Sequence, residues 1–481
     1  MKGATEFRTL DKDLRRISNA EVAQLHAFRP VWKLGLAVLA FVGLLIVVLA
    51  SGGGESRMVG MGAGLVVAAW LALAIGSNDV ANSLGPAVGA GAIRLVPGLM
   101  LVAVAGVAGA VLAGAAVSQR LAAGIVDPAL VADAGLGPLV MLSALIGAAS
   151  WITVATGIGL PVSTSHSIVG GIAGAGAAAV GLGGVAWSTV GMLALVWIAS
   201  PVVSGALAGA FVILLRLNVV EAENRAAAAR RWLPPMVGLL CALFSAYVVV
   251  LILRPAVPPL TTLVVALLAG GAGWISTARG VAREVALSPK KPSSKRLLAP
   301  ALVVAVTILG FAHGANDVGN VAGPLSVIIG TARGAAEFGQ VPLVALIGAG
   351  AMISLGTLLF GGRLVNMVGS GITRLNAGRA FCVSLATAVT VLVASAFGLP
   401  VSTTHVAVGG VFGVGFAREW LDRRRARKRQ DEAALPEEEI RRRRLIRRSH
   451  VATIMAAWMI TLPTTAAMGA AACWLILGLA G

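Results

Sequence analysis

The sequence predicts an all-α integral membrane protein. It reads as about 11–13 transmembrane or re-entrant helices in two inverted-topology repeats, with broken helices at the midplane. Three observations carry this. The 481 residues are 58% hydrophobic and only 12% charged, whereas soluble domains run at about 45–50% and about 25%. Apolar runs of spanning length recur to the end of the chain. Two polar motifs inside those runs are written twice, in the same order.

Residues 1–30 are polar, mixed in charge and lack a short apolar core, so no cleaved signal peptide is expected and the tail is placed in the cytoplasm. The run 31–50 is long enough to span and reads as an extra N-terminal transmembrane helix, a retained signal anchor. Runs at 58–93, 97–117, 138–160, 162–182 and 188–215 follow and form a first transport repeat, 58–215. The runs 236–253 and 260–276 lie in a connecting region, 216–297, that ends in a basic loop with Arg279, Arg283, Lys290, Lys291, Lys295 and Arg296. The runs 298–331, 341–361, 380–399, 401–417 and 450–480 make a second repeat, 298–480, interrupted by the basic insert 418–449.

Positive charge marks the cytoplasmic side of a membrane protein. With the N-terminal tail inside, Arg94, then Arg225, Arg230 and Arg231, then 277–297 and finally 418–449 all fall inside. The loop 118–137, with one Arg and two Asp, falls outside, while its counterpart carrying Arg363, Arg374 and Arg379 falls inside. The halves therefore share an order of elements and face opposite ways, as in many secondary transporters. The net charge of +18 sits in these loops rather than on a folded face, which argues against nucleic-acid binding. Cys241, Cys382 and Cys473 lie in apolar runs, too dispersed for a disulfide framework or a metal site. The chain is expected in the cell (inner) membrane with membrane lipid around it, and the basic insert reads as a solvated positive loop in preference to a contact with anionic lipid.

The first duplicated motif is GSNDVAN at 76–82 and GANDVGN at 314–320. Asp79 is the only acid between 56 and 126, and Asp317 the only one between 298 and 336. An ionisable group inside a span costs roughly 2.5–3.5 kcal/mol on insertion scales, so it is kept for function. Asn78 and Asn82 flank one Asp, Asn316 and Asn320 the other. Carboxylate, amide oxygens and backbone carbonyls freed by local unwinding make a hard-oxygen site, suited to Na⁺ or to a proton on the Asp, with no soft ligand for zinc or copper. His313 beside the second motif has Ile75 as its counterpart and carries no assignment.

The second motif is GLPVSTSH at 159–166 and GLPVSTTH at 398–405. Pro161 and Pro400 break helical hydrogen bonding, and Gly159 and Gly398 add freedom. Ser163, Thr164 and Ser165, and Ser402, Thr403 and Thr404, then open a new helix. Free N–H groups, the positive end of the helix dipole and the hydroxyls attract an anion. His166 and His405 either hold the hairpin or relay protons. The runs 162–182 and 401–417 are short or glycine-rich and read as re-entrant.

Two anion-attracting helix ends facing two carboxylates, without a buried Lys or Arg, call for an anion that also carries protons for the carboxylates to accept. Mono- or dihydrogen phosphate meets that demand; sulfate, with no proton at neutral pH, is the alternative oxyanion. A gated cation channel leaves the hydroxyl motifs idle, and an intramembrane enzyme lacks the acid that would orient a Ser-His pair.

These motifs, standing here as GSNDVANS, GLPVSTSH, GANDVGNVAGPL and GLPVSTTH, resemble those of the inorganic phosphate transporter (PiT) family over most of 58–480. Trp197-Pro201 and Trp458-Pro463 close the two halves in a similar way. The resemblance implies a phosphate symporter driven by Na⁺ or H⁺, with no cofactor, no catalysis and a homodimeric assembly. It implies phosphate binding by Asp79, Asn82, Ser163, Thr164, Ser165, Asp317, Asn320, Ser402, Thr403 and Thr404. The coupling cation, Na⁺ if a metal ion, would be held by Asn78, Asp79, Asn82, Asn316, Asp317 and Asn320. Ser77, Gly319 and Val321 depart from the family pattern without removing a ligand.

Overall fold

A computed structural model describes residue 35 and residues 56–157, 162–253, 258–287, 293–332, 340–367, 375–428 and 448–480. Residues 31–34 and 36–50 of the expected first helix, Gly159, Pro161, Lys290, Lys291, Arg374 and residues 429–447 of the basic insert lie outside the described residues. Fifteen α-helices are described: α1 (Ser56–Gly89), α2 (Leu95–Ala113), α3 (Ala115–Ala123), α4 (Pro128–Asp133), α5 (Gly137–Gly157), α6 (Thr164–Val180), α7 (Trp187–Leu215), α8 (Arg225–Leu253), α9 (Pro259–Leu287), α10 (Ser294–Asp317), α11 (Gly319–Ala332), α12 (Leu343–Met367), α13 (Ala377–Ala396), α14 (Thr403–Lys428) and α15 (Arg448–Ala480). Among the described residues there is no strand, only an isolated bridge between Val126 and Val185.

Ten stretches are long and apolar enough to cross a membrane, with α10 and α11 forming one of them, Lys295–Thr331. The chain is therefore an all-helical, multi-pass integral membrane protein. The helices α6 and α14 are not among these ten. The first ends at Gly181, whose φ of +83° suits a residue without a Cβ. The second runs on to Lys428, so the start of the basic insert continues a helix expected to stop near 417.

The bundle is interleaved. α1 packs on α12 and α2 on α10; α6 packs on α15 and α14 on α7; α3 packs on α11. Each hairpin also pairs its own two helices, α5 with α6 and α13 with α14. The crossings are close because glycine removes the side chain where backbones meet. A Cβ on Gly174 would overlap the Ala466 carbonyl, and one on Gly413 would overlap the Gly205 carbonyl. In hydrocarbon, where burial of apolar surface no longer drives association, such contact supplies the attraction. Buried side chains fill the remainder, with Trp70, Leu145 and Ile172 in one cluster and Leu84, Leu233 and Phe381 in another. α8 and α9 pack on each other and bury little of their surface in the chain.

Polar residues fix the helix ends. Asp127 caps α4 by accepting from the Ala129 N–H at 2.9 Å, and Asn376 caps α13 by accepting from the Arg379 N–H at 3.0 Å. Asp422, near the far end of α14, accepts from Arg216 at 2.7 Å just beyond α7.

Candidate functional site

The two copies of the Asn-Asp motif fold differently. α10 and α11 are separated by Val318 alone, whose φ of −58° and ψ of −31° stay helical while the Ala322 N–H donates to its carbonyl at 2.7 Å, so the second copy is loosened at one residue and not unwound. α1 instead runs unbroken through Asn78, Asp79 and Asn82, which corrects the expected unwinding there. The residue after Asp-Val explains the difference: Ala81 in the first copy, Gly319 in the second. Glycine costs a helix interior about 0.8–1.0 kcal/mol relative to alanine. Unwinding is not needed in α1, because residues three and four apart already share a helix face.

The hydroxyl motif forms helix starts in both halves. Ser163 is the N-cap of α6 and accepts from the His166 N–H at 3.3 Å. Ser402 stands just before α14 and accepts from the His405 N–H at 3.4 Å. In each first turn, the earliest N–H groups, those of Thr164 and Ser165 and of Thr403 and Thr404, have no carbonyl within their own helix. The backbone turns at Gly398 with φ +66°, where a side chain would press on the Ala116 carbonyl.

The motifs meet across the halves. Asn82 donates to the Thr404 hydroxyl at 2.9 Å, and that hydroxyl lies 3.4 Å from Oδ1 of Asp79. Asn78 donates to the same carboxylate oxygen at 3.3 Å. In the other sense, Asn320 reaches both Thr164 and Ser165 at 3.4 Å. The hairpin tips touch directly, the Ser165 hydroxyl donating to the Val401 carbonyl at 3.0 Å. Asp79, Asp317, Asn320, Ser163, Thr164, Ser165, Ser402 and Thr403 are all buried, while Asn78, Asn82 and Thr404 are partly exposed. Asp79 and Asp317 lie within electrostatic reach of one another.

Asn316 plays a more structural part than Asn78. It donates to Ser395 at 3.0 Å and to the Leu399 carbonyl at 3.1 Å, and its Oδ1 accepts from the Val401 N–H at 3.1 Å. It therefore braces the turn of the second hairpin. His166 is likewise built in: Nδ1 lies 2.6 Å from the Ser163 hydroxyl, and the ring stands 3.8 Å from Trp197 and 5.1 Å from His405, centroid to centroid. Trp197 is a contributor that the sequence motifs do not single out. Its indole N–H donates to the Pro400 carbonyl at 2.7 Å, fixing the second hairpin from the first half's closing helix. The Trp-Pro pair at 197 and 201 is the signal that points to it.

Hard-cation chemistry fits the donor set. Asp79 Oδ2, Asp317 Oδ1 and Asn320 Oδ1 are buried oxygens without a hydrogen-bond partner among the described residues. An alkali ion, or a proton on a carboxylate, would satisfy them. No group of three His, Cys, Asp or Glu suited to a transition metal occurs among the described residues. A cleft of about 430 Å³ opens beside Gln119, Arg120, Phe397 and Gly398, at the back of the second hairpin rather than at the two Asp residues.

A multi-pass helical bundle with two buried carboxylates, Asp79 set beside Thr404 and Asp317 three residues before the Asn320 that reaches Thr164 and Ser165, has the character of a membrane transport protein. The family comparison makes this specific. The chain belongs to the phosphate transporter family, whose model matches residues 75–469. A relative from Helicobacter pylori strain J99, provisionally named a phosphate permease, is 37% identical over 429 residues, covering 87% of this chain and 80% of that protein. The Arabidopsis thaliana protein "Inorganic phosphate transporter 2-1, chloroplastic" is 30% identical over 449 residues, covering 84% and 70%. A solved structure described as the sodium-dependent phosphate transporter is 33% identical with a TM-score of 0.74, covering 86% of this chain and 99% of its own. Sulfate finds no support among these proteins.

Proposed function

We propose that this phosphate transporter is a cation-coupled symporter, working by alternating access around the site where its two inverted repeats meet. The observation that carries the reading is the crossed pairing of Asp79 and Asn82 with Thr404, and of Asn320 with Thr164 and Ser165. Phosphate would lie against the two helix starts, donating its protons to the carboxylates and accepting from N–H and hydroxyl groups. The coupling ion would occupy the orphaned oxygens of Asp79, Asp317 and Asn320 and lower the repulsion between carboxylates and substrate. Na⁺ is favoured over H⁺ as that ion, because the similar solved structure is described as sodium-dependent. The protein is placed in the cell (inner) membrane as a homodimer, with the N-terminus, 277–297 and 418–449 in the cytoplasm.

The test is ³²P-phosphate uptake into proteoliposomes, with Na⁺ and pH gradients imposed separately and sulfate as competitor. Uptake driven by the Na⁺ gradient and indifferent to sulfate is expected. Asp79→Asn and Asp317→Asn should each abolish gradient-driven uptake while eluting as well-folded protein. Normal coupled transport in both variants would remove the carboxylates from the mechanism.

A further inference from the structure

Six buried hydroxyls away from the substrate site have no partner among the described residues, and four of them sit on two helices that pack together: Ser200 and Ser204 on α7, and Ser384 and Thr387 on α13. All are deeply buried, and Ser200, the most accessible, is 6% exposed. Spacings of four and three residues put each pair on one helix face, and α7 packs on α13. α14 closes the third side at Gly410. The Ser204 and Thr387 hydroxyls lie 3.2 and 3.5 Å from the position of a Cβ on Gly410, so both border the same small space.

Two other buried threonines return their hydroxyl to their own helix, Thr153 to the Ala149 carbonyl at 2.7 Å and Thr390 to the Ala386 carbonyl at 2.8 Å. The matching position of the other hairpin, where α6 crosses α5 at Gly171, is closed, although the Ser143 hydroxyl elsewhere on α5 is also without a partner among the described residues. A Cβ on Gly171 there would meet the Ala144 carbonyl at 2.7 Å. Leu145 and Ala148 stand where the second hairpin has Ser384 and Thr387. Thr465 donates to the Thr461 carbonyl at 2.9 Å, and Thr461 accepts from Trp151.

We propose that the space between α7, α13 and α14 is a buried water site, present behind the second hairpin and absent at the matching position behind the first. Each hydroxyl needs both a donor and an acceptor satisfied. A cation could satisfy only the acceptors, and no carboxylate is among the four groups to offset its charge. Water satisfies both, and a polar space bounded by two to four hydrogen-bonding groups is where interior water is held. Such water lets α7 and α13 exchange hydrogen-bond partners as the second hairpin moves, so it sets turnover rather than affinity.

An experimental map of the wild-type protein, at a resolution that shows ordered water, tests the site itself. Water peaks within hydrogen-bond distance of Ser204 and Thr387, with none between Ala144, Gly171 and Thr465, are expected. An empty space, or a peak with the short many-oxygen coordination of a metal ion, would overturn the proposal. The consequence for turnover rests on phosphate uptake as the activity, whereas the map does not, so the two fail separately. Ser384→Ala combined with Thr387→Val should lower the maximal uptake rate about fivefold with an unchanged Km for phosphate, because a conformational step is slowed. Thr387→Ser should keep the wild-type rate. A wild-type rate in the double variant would overturn the role in turnover, and the wild-type map decides the site even if that variant fails to fold.

Discussion

Thr404 is the residue on which two halves of the molecule converge. Its hydroxyl accepts from Asn82 and lies beside Asp79, whereas its neighbour Thr403 is buried without such a bond to that pair. Thr404→Val leaves an amide and a carboxylate short of a partner, at about 1–3 kcal/mol. The expected result is a roughly ten- to hundredfold rise in the apparent Km for phosphate, with a much smaller change in Thr403→Val, read from uptake at graded phosphate. Equal Km values would take the Thr404 hydroxyl out of the site. At this scale the sequence was informative where chemistry is rare. An isolated Asp in an apolar span, or three hydroxyls after a Pro, stands out against its background. Trp197 stood out only through its pairing with Pro201, and its role did not, because its bond to Pro400 joins residues 203 positions apart and an indole in a membrane helix has many ordinary uses. The bracing role of Asn316 was hidden for the same reason, since its partners at 395, 399 and 401 are fixed only by the fold.

At the scale of elements, hydropathy located the spans, because each must cover the bilayer with apolar residues. It did not show where they bend. The unbroken α1 and the α10–α11 junction, loosened at Val318, differ through the single Ala81-to-Gly319 contrast, a local propensity too small to read against a uniform apolar background. Glycines are informative only once the neighbours are known. Gly174→Ala should cost about 1–3 kcal/mol, the usual range for overpacking, since its Cβ would overlap the Ala466 carbonyl. Gly191→Ala, with nothing within 4 Å of the new methyl, should be close to neutral. Thermal melts of the two variants in the same detergent make the comparison, and equal midpoints would contradict the tight α6–α15 crossing.

At the scale of the whole molecule, the charge pattern predicts that loops at matched positions face opposite sides of the membrane. A chain with Cys241, Cys382 and Cys473 replaced by Ala, and a single new cysteine at either position, reports this directly. Asp133→Cys, on the exposed end of α4, should react with an impermeant maleimide in intact cells. Arg363→Cys, exposed on α12, should react only after permeabilisation. Labelling of both from one side would rule out the inverted arrangement. The interleaving of the halves, by contrast, had no sequence signal, because the glycines that make it possible are spread through every span.

That interleaving has a consequence for how the protein is made. α6 packs on α15, which leaves the ribosome more than 250 residues later. At about 5–20 residues per second, the first hairpin must wait on the order of 15–50 s with its glycine face uncovered in the bilayer. The second hairpin faces no such delay, since α7 is already in place when α14 emerges. α15 is thus the helix that seats the first hairpin's half of the substrate site, so that half waits for a partner made long after it.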